Sequence, residues 1–153
     1  MGCGKSYLSS RLAQELGYEL KDSDTMIEES EKISIKEIFQ KHGEEYFRSL
    51  ESKAAEKIKT LSSSVIATGG GFPIYYKDIK SLGMVVYMDI SFEDILKRMT
   101  PQDVAKRPLF RDIDRARSLY NDRIDIYKDR SHYQVDATMS VDDMINFIKD
   151  KLK

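Results

Sequence analysis

Apolar residues recur along the chain with two periods, and the order in which the periods alternate sets the fold to expect. Over residues 6–16, Leu8, Leu12, Ala13 and Leu16 fall three to four apart on one helical face, and Gly17 stands where a helix C-cap glycine belongs. "YELKD" then alternates, Tyr18 and Leu20 against Glu19 and Lys21, as a short strand ending at Asp22. Two helical segments are expected next. The second opens at "SIKE", where Ser34 and Glu37 have the spacing of a capping box, and closes at Gly43. From Glu44 a longer helix is predicted to residue 61, with Phe47, Leu50, Ala54, Ile58 and Leu61 as its buried stripe.

"SSVIATGGG" reads as a buried strand running into three glycines, and "MVVYMDI" as a second, nearly continuous apolar strand. Such runs suit a parallel sheet covered on both faces. A short helical crossover over residues 73–82 joins them. A helix over 92–99, a polar stretch holding Pro101 and Pro108, a helix over 113–128, a strand at "YQVDAT" and a last helix, capped by Ser140 with Asp143 and reaching Leu152, complete the chain. Alternating strands and helices predict an α/β fold, a three-layer α-β-α arrangement with a central parallel sheet and right-handed crossovers. One domain over residues 1–153 is expected from the length. In such sheets ligands gather at the carboxyl ends of the strands, which directs attention to residues 1–6, 22–24, 69–72 and 101–108.

Composition narrows the partners. Lys and Arg number 25 against 26 Asp and Glu, a net charge of -1, so there is no general electrostatic reason to seek nucleic acid or an anionic membrane. Any anion site must be local. The single cysteine excludes an internal disulfide, and the two histidines, His42 and His132, lie too far apart for a zinc spacing. "MVVYM" is too short to span a bilayer and no signal-peptide apolar region opens the chain. A cytoplasmic monomer acting on a small molecule is expected.

The chain opens "MGCGKS" directly before the first helix. Glycines that let a phosphate approach a helix N-terminus, followed by Lys and Ser, describe a nucleotide site: Lys5 reaches the β and γ phosphates and the Ser6 hydroxyl faces Mg²⁺. At ~4 Å and an effective dielectric near 20, one such charge pair is worth roughly 4 kcal/mol. A solvated glycine-rich start is the bland alternative, because the full G-x-x-x-x-G-K-[ST] pattern needs a glycine upstream of Met1. A phosphate loop hangs from a strand of ~5 to 6 residues, so the natural chain is expected to carry about ten further residues upstream, including that strand.

"DSD" puts Asp22 and Asp24 at the end of a strand, though Asp24 alone would serve as a helix N-cap. Arg48 has Glu44 one turn before it and Glu51 one turn after, a spacing that aims a guanidinium but equally makes a surface salt-bridge face. Arg123 falls within the apolar stripe of its helix, where a charge needs a partner: a structural carboxylate or a bound one. Gly69, Gly70 and Gly71 cost backbone entropy directly after a strand, which fits either a tight turn or a close approach to a ligand. Together these residues describe a small polar acid held beside a nucleotide.

The ordered set "MGCGKS", "DSD", "FRSLE", "ATGGG", "KRPLF" and "RIDIY" resembles the shikimate kinases, which have a P-loop fold like that of nucleoside-monophosphate kinases, and the likeness spans the whole chain. The resemblance implies ATP- and Mg²⁺-dependent phosphorylation of the 3-hydroxyl of shikimate, on the route to aromatic amino acids. It implies that Asp24 holds the substrate hydroxyls and serves as base. Arg48 and Arg123 then clamp the carboxylate, and Gly69, Gly70 and Gly71 contact the ring hydroxyls. Gly2, Cys3, Gly4, Lys5, Ser6 and Tyr7 form the nucleotide loop, with Asp22 near Mg²⁺ through water. Lys5 and Arg107 stabilise the transferred phosphoryl, and Arg98 stacks on adenine. A substrate-binding helical region over 23–51 and a mobile lid over 99–112 complete the expectation, with Lys5, Asp24 and Arg123 converging on one cleft.

Asp125 stands in "RIDIY" where many members carry proline, and the stretch before Arg107 is longer than in some relatives. Another kinase of the same fold, acting on gluconate or a nucleoside monophosphate, and a non-catalytic nucleotide-binding module are the rival readings. Fold alone does not separate them.

Overall fold

The computed structural model describes residues 4–106 and 108–153, so Met1, Gly2, Cys3 and Arg107 lie outside the described residues. Two compact units emerge, Ser6–Val85 and a second built from Val86–Lys153 with the start of the chain.

In the first unit, helix α1 spans Lys5–Leu16 and buries Leu8, Leu12 and Ala13 of its predicted face, with Leu16 half-buried at its end. Strand β1 (Glu19–Asp22) leads into α2 (Ser23–Glu31). Helix α3 (Ile35–Lys59) starts with the predicted capping box: Glu37 N–H donates to Ser34 Oγ and the Ser34 N–H donates to the Glu37 carboxylate. It breaks at Gly43, whose φ of 79° and ψ of -179° belong to a region open essentially to glycine alone. The second segment buries Phe47, Leu50, Ala54 and Ile58. Leu61 is a correction, since the helix ends at Lys59 and Leu61 is exposed. Thr60 Oγ donates to the Lys57 carbonyl and its N–H turns back to the last helical carbonyls, which ends the stripe one turn early. Strand β2 (Ser64–Ala67) follows.

The predicted crossover helix over 73–82 is also corrected. A single turn, α4 (Phe72–Tyr75), and a 3₁₀ turn (Ile79–Leu82) flank an extended Tyr76 with φ -89° and ψ 93°. Pro73 sits in the first turn and aromatic residues are weak helix formers, so the turn closes with the Tyr76 N–H on the Phe72 carbonyl and goes no further. Phe72, fully buried, packs with Ile27, Ile38, Phe47 and Leu50 in this unit's core.

The second unit holds β3 (Val86–Asp89), α5 (Phe92–Arg98), α6 (Pro101–Lys106), a 3₁₀ turn (Pro108–Arg111), α7 (Ile113–Asp129), β4 (Tyr133–Asp136) and α8 (Val141–Lys151). Ser140 caps α8 through the Asp143 N–H, as predicted, and Ser91 caps α5 in the same way through the Asp94 N–H. Helix α6 falls inside the stretch read as an irregular lid. Asp103 N–H donates to Thr100 Oγ while Thr100 N–H donates to the Asp103 carboxylate, a reciprocal cap with Pro101 at the first helical position. Phe110 anchors the end of that stretch, buried with its ring stacked 6.3 Å from Phe92.

All strand pairing is parallel, as expected, but among the described residues it forms two pairs, β1 with β2 and β3 with β4, instead of one continuous sheet. No described strand bonds to both pairs, so each ladder stops at two members. The strands are half-buried or exposed over most positions, so the apolar run at β3 is less enclosed than its sequence suggests.

Candidate active site

The β1–β2 register pairs Asp22 with Ala67, so the two strands end level, and α2, from Ser23, and the glycine loop, from Thr68, leave the same edge. At that edge Asp22 is the N-cap of α2: its Oδ1 accepts from the Asp24 N–H at 2.9 Å and from the Thr25 N–H at 3.4 Å. Capping therefore falls to Asp22, which leaves the Asp24 carboxylate in the first turn facing the glycine triplet. A Cβ on Gly69 would stand 2.8 Å from Asp24 Oδ1. A side chain there would push the Asp24 carboxylate aside, and the Gly69 N–H is tied to the hydroxyl of the fully buried Ser23 at 3.2 Å.

Arg48 meets the other end of the triplet, where a Cβ on Gly71 would lie 2.7 Å from its Nη1. Its plane is held by carboxylates on both sides: Nε and Nη2 donate to Glu44 Oε1 at 3.2 and 2.9 Å, and Nη1 donates to Glu51 Oε2 at 2.8 Å. The Tyr75 ring covers the guanidinium, its centroid 3.7 Å from Cζ. Burial lowers the Arg48 pKa, but Glu51 and Glu44 together outweigh it and leave the group above its ordinary value. Glu51, 2% exposed, is pushed upward by burial, with Arg48 opposing the shift. Of the five guanidinium N–H donors these bonds use three, so one remains on each terminal nitrogen. Two donors in one plane are what a carboxylate needs for a bidentate grip.

The structure thus brings together Asp24, Arg48, Gly69 and Gly71 within one unit, with Asp22 capping the helix that carries Asp24. Gly70 is exposed between its neighbours. Gly4 has φ +89°, and Lys5, Ser6 and Tyr7 open α1, which has no acidic residue in its first turn. No carboxylate of its own first turn therefore offsets the positive end of that helix. Arg98, in the second unit, donates from Nη2 to the Ala137 carbonyl at 2.8 Å just beyond β4. Arg123 is half-buried on α7, and among the described residues no hydrogen bond or ion pair reaches it. Gly2, Cys3 and Arg107 lie outside the described residues.

Three residues that shape the site were not singled out as site residues from sequence. Glu51 was visible as a spacing, but only packing reveals that it is buried. Ser23 sits between the two aspartates, where a hydroxyl aimed at a later loop leaves no local pattern. Tyr75 carries no sequence signal at all.

A family profile described as shikimate kinase matches residues 1–153. A shikimate kinase of Helicobacter hepaticus is 45% identical over 141 residues, covering 92% of this chain and 84% of that protein. One of Clostridium botulinum (strain ATCC 19397 / Type A) is 41% identical over 151 residues, 95% of this chain and 88% of that protein. Among solved structures, shikimate kinase from Acinetobacter baumannii in complex with shikimate superposes with a TM-score of 0.84 at 30% identity, covering 99% of this chain and 88% of that one. The fold and the family match together define a phosphotransferase of the P-loop kinase class. Within that class the chain belongs to the shikimate kinase family.

Proposed function

We propose that this chain transfers the γ-phosphoryl of ATP to the 3-hydroxyl of shikimate, giving shikimate 3-phosphate and ADP. The observation that carries the reading is the pairing of a carboxylate and a guanidinium against the two ends of one glycine triplet, Asp24 at Gly69 and Arg48 at Gly71. A ligand seated on that backbone meets an acceptor for hydroxyls on one side and a cation for a carboxylate on the other. Shikimate carries both groups. A guanidinium grips a phosphate as well as a carboxylate, so the preference for a hydroxylated acid over a nucleotide acceptor draws its support from the match to the shikimate kinase family.

In this reading Asp24 accepts the proton of the 3-hydroxyl as its oxygen bonds to phosphorus and the bond to the ADP oxygen breaks. Arg48 binds the carboxylate with its two remaining donors, and Arg123, half-buried without an ionic partner among the described residues, supplies a second guanidinium. Gly69, Gly70 and Gly71 meet the ring hydroxyls through backbone groups. Lys5 and Arg107 carry charge on the phosphoryl oxygens, with Gly2, Cys3, Gly4 and Tyr7 around the phosphates and Arg98 against adenine. Residues 99–112 close over the nucleotide and exclude water, which would otherwise accept the phosphoryl.

The donor set fits Mg²⁺, a hard cation that takes one or two protein oxygens and keeps the rest of its shell as phosphate and water. Ser6 offers a hydroxyl and Asp22 a carboxylate, and among the described residues no group of three or more acids, histidines or cysteines would hold a metal by itself. When bound, the ion neutralises phosphate charge. The same reading makes the protein a cytoplasmic monomer that binds neither nucleic acid nor membrane, in keeping with its balanced charge and with described helices too short or too polar to cross a bilayer.

A coupled ADP-release assay across shikimate, gluconate and nucleoside monophosphates tests the function. Turnover with shikimate alone is expected; turnover with a nucleoside monophosphate and none with shikimate would overturn it.

A further inference from the structure

The geometry points to Tyr75 as a positioning residue that sets the affinity for the substrate carboxylate by holding the Arg48 guanidinium in plane. This inference rests on the carboxylate-binding role proposed for Arg48.

Tyr75 ends the single turn that leaves the glycine triplet. Its N–H donates to the Gly71 carbonyl at 3.1 Å, alongside that of Ile74 at 2.8 Å, so its backbone position is fixed to the triplet itself. The ring leaves the core: it is 48% exposed and takes no part in the cluster around Phe72. Outside that cluster the ring lies on a charge, a contact that fixes the position of the guanidinium as well as contributing a little stability. Its centroid lies 3.7 Å from Arg48 Cζ, nearer than the Phe47 ring at 5.2 Å, so the guanidinium lies face to face with Tyr75.

The carboxylates of Glu44 and Glu51 fix the in-plane edges of Arg48, while Tyr75 covers a face. Covering that face removes water from the π-surface and limits rotation of the side chain. The N–H donor left on each terminal nitrogen is thereby held in a defined plane before the ligand arrives. A carboxylate then binds without first ordering the arginine, and that saved ordering appears as affinity. The phenol hydroxyl has no part in this, so the ring alone should suffice.

Steady-state kinetics separate these roles. Tyr75→Ala is expected to raise KM for shikimate roughly 5- to 20-fold, with kcat and the KM for ATP changed less than about 2-fold. Tyr75→Phe is expected to restore the KM, and Tyr75→Leu, which keeps bulk without a π-face, is expected to resemble Tyr75→Ala. In an Arg48→Ala background the Tyr75→Ala change should add nothing, because it acts only through the arginine. A full Tyr75 effect persisting without Arg48, or a Tyr75→Leu enzyme with normal KM, overturns the inference. If Arg48→Ala raises KM but Tyr75→Ala does not, Tyr75 alone loses its role. If Arg48→Ala leaves KM for shikimate unchanged, the carboxylate-binding role of Arg48 falls, and the inference falls with it.

Discussion

Arg48 and Arg117 each hold a glutamate and an aromatic ring, one in each unit of the chain. Arg48 takes Glu51 and the face of Tyr75; Arg117 takes Glu93 and the face of Phe92, whose centroid lies 4.5 Å from Cζ. The difference is water. Side-chain exposure is 20% and 3% for the first ion pair and 42% and 60% for the second. An exposed pair contributes little and is screened by salt, while a buried pair gives up hydration that the attraction barely recovers. Apolar residues of similar volume would often serve stability as well as a buried pair does. Stability alone does not account for the Arg48 pair, and the proposed function does: it is an oriented cation held at the glycine triplet for the substrate carboxylate.

The largest effect that would test this contrast is catalytic. Asp24→Asn is expected to lower kcat by roughly 10²- to 10⁴-fold while ATP binding, followed by titration, stays near wild type. Arg48→Ala strands the Glu51 carboxylate in the interior and is expected to cost about 3 to 5 kcal/mol in denaturant unfolding. Arg117→Ala should shift the same unfolding curve far less, because both partners keep their water. Gly71→Ala is the cleaner test of the site, since the Gly71 backbone, at φ -79° and ψ -29°, suits any residue. Its added Cβ instead displaces Arg48, and KM for shikimate is expected to rise about tenfold, equivalent to roughly 1.4 kcal/mol.

The smallest effect is in the pH dependence, and its sign differs between the two units. Burial raises the Glu51 pKa above its ordinary 4.5, so its contribution is fully present below that value and is lost as pH rises through the folded pKa. The Arg117 hydrogen bond lowers Glu93, so its contribution is present above 4.5 and is lost as pH falls through the folded pKa. Relative to wild type, Glu51→Gln should become less costly as pH rises from about 4 to 7, and Glu93→Gln more costly. Melting curves across that range check both slopes; parallel slopes would erase the distinction between the units.

Elements bounded by their own side chains were legible in the sequence. Ser34 with Glu37, Ser140 with Asp143 and the break at Gly43 are local chemistry, and the structure keeps all three. The cap formed by Thr100 and Asp103 was equally local, yet Pro101 at the start of α6 and Pro108 beyond its end made the stretch read as a polar lid and hid it. The end of α3 and the split crossover were not legible, because turn bonds at Thr60, Tyr76 and Ser81 decided them against the apolar period. At the site, residue types and their order exposed Asp24, Arg48 and the glycines. What they could not expose was contact across the fold: which aspartate caps, that Glu51 is buried, and that Tyr75 lies on Arg48.

Titration of the ¹⁵N-labelled protein with shikimate, followed by amide and arginine Nε resonances, tests the central claim most directly. The account predicts saturable shifts concentrated at Asp24, Gly69, Gly70, Gly71 and the Nε of Arg48, all with one dissociation constant. Saturable binding that leaves those resonances in place would contradict it.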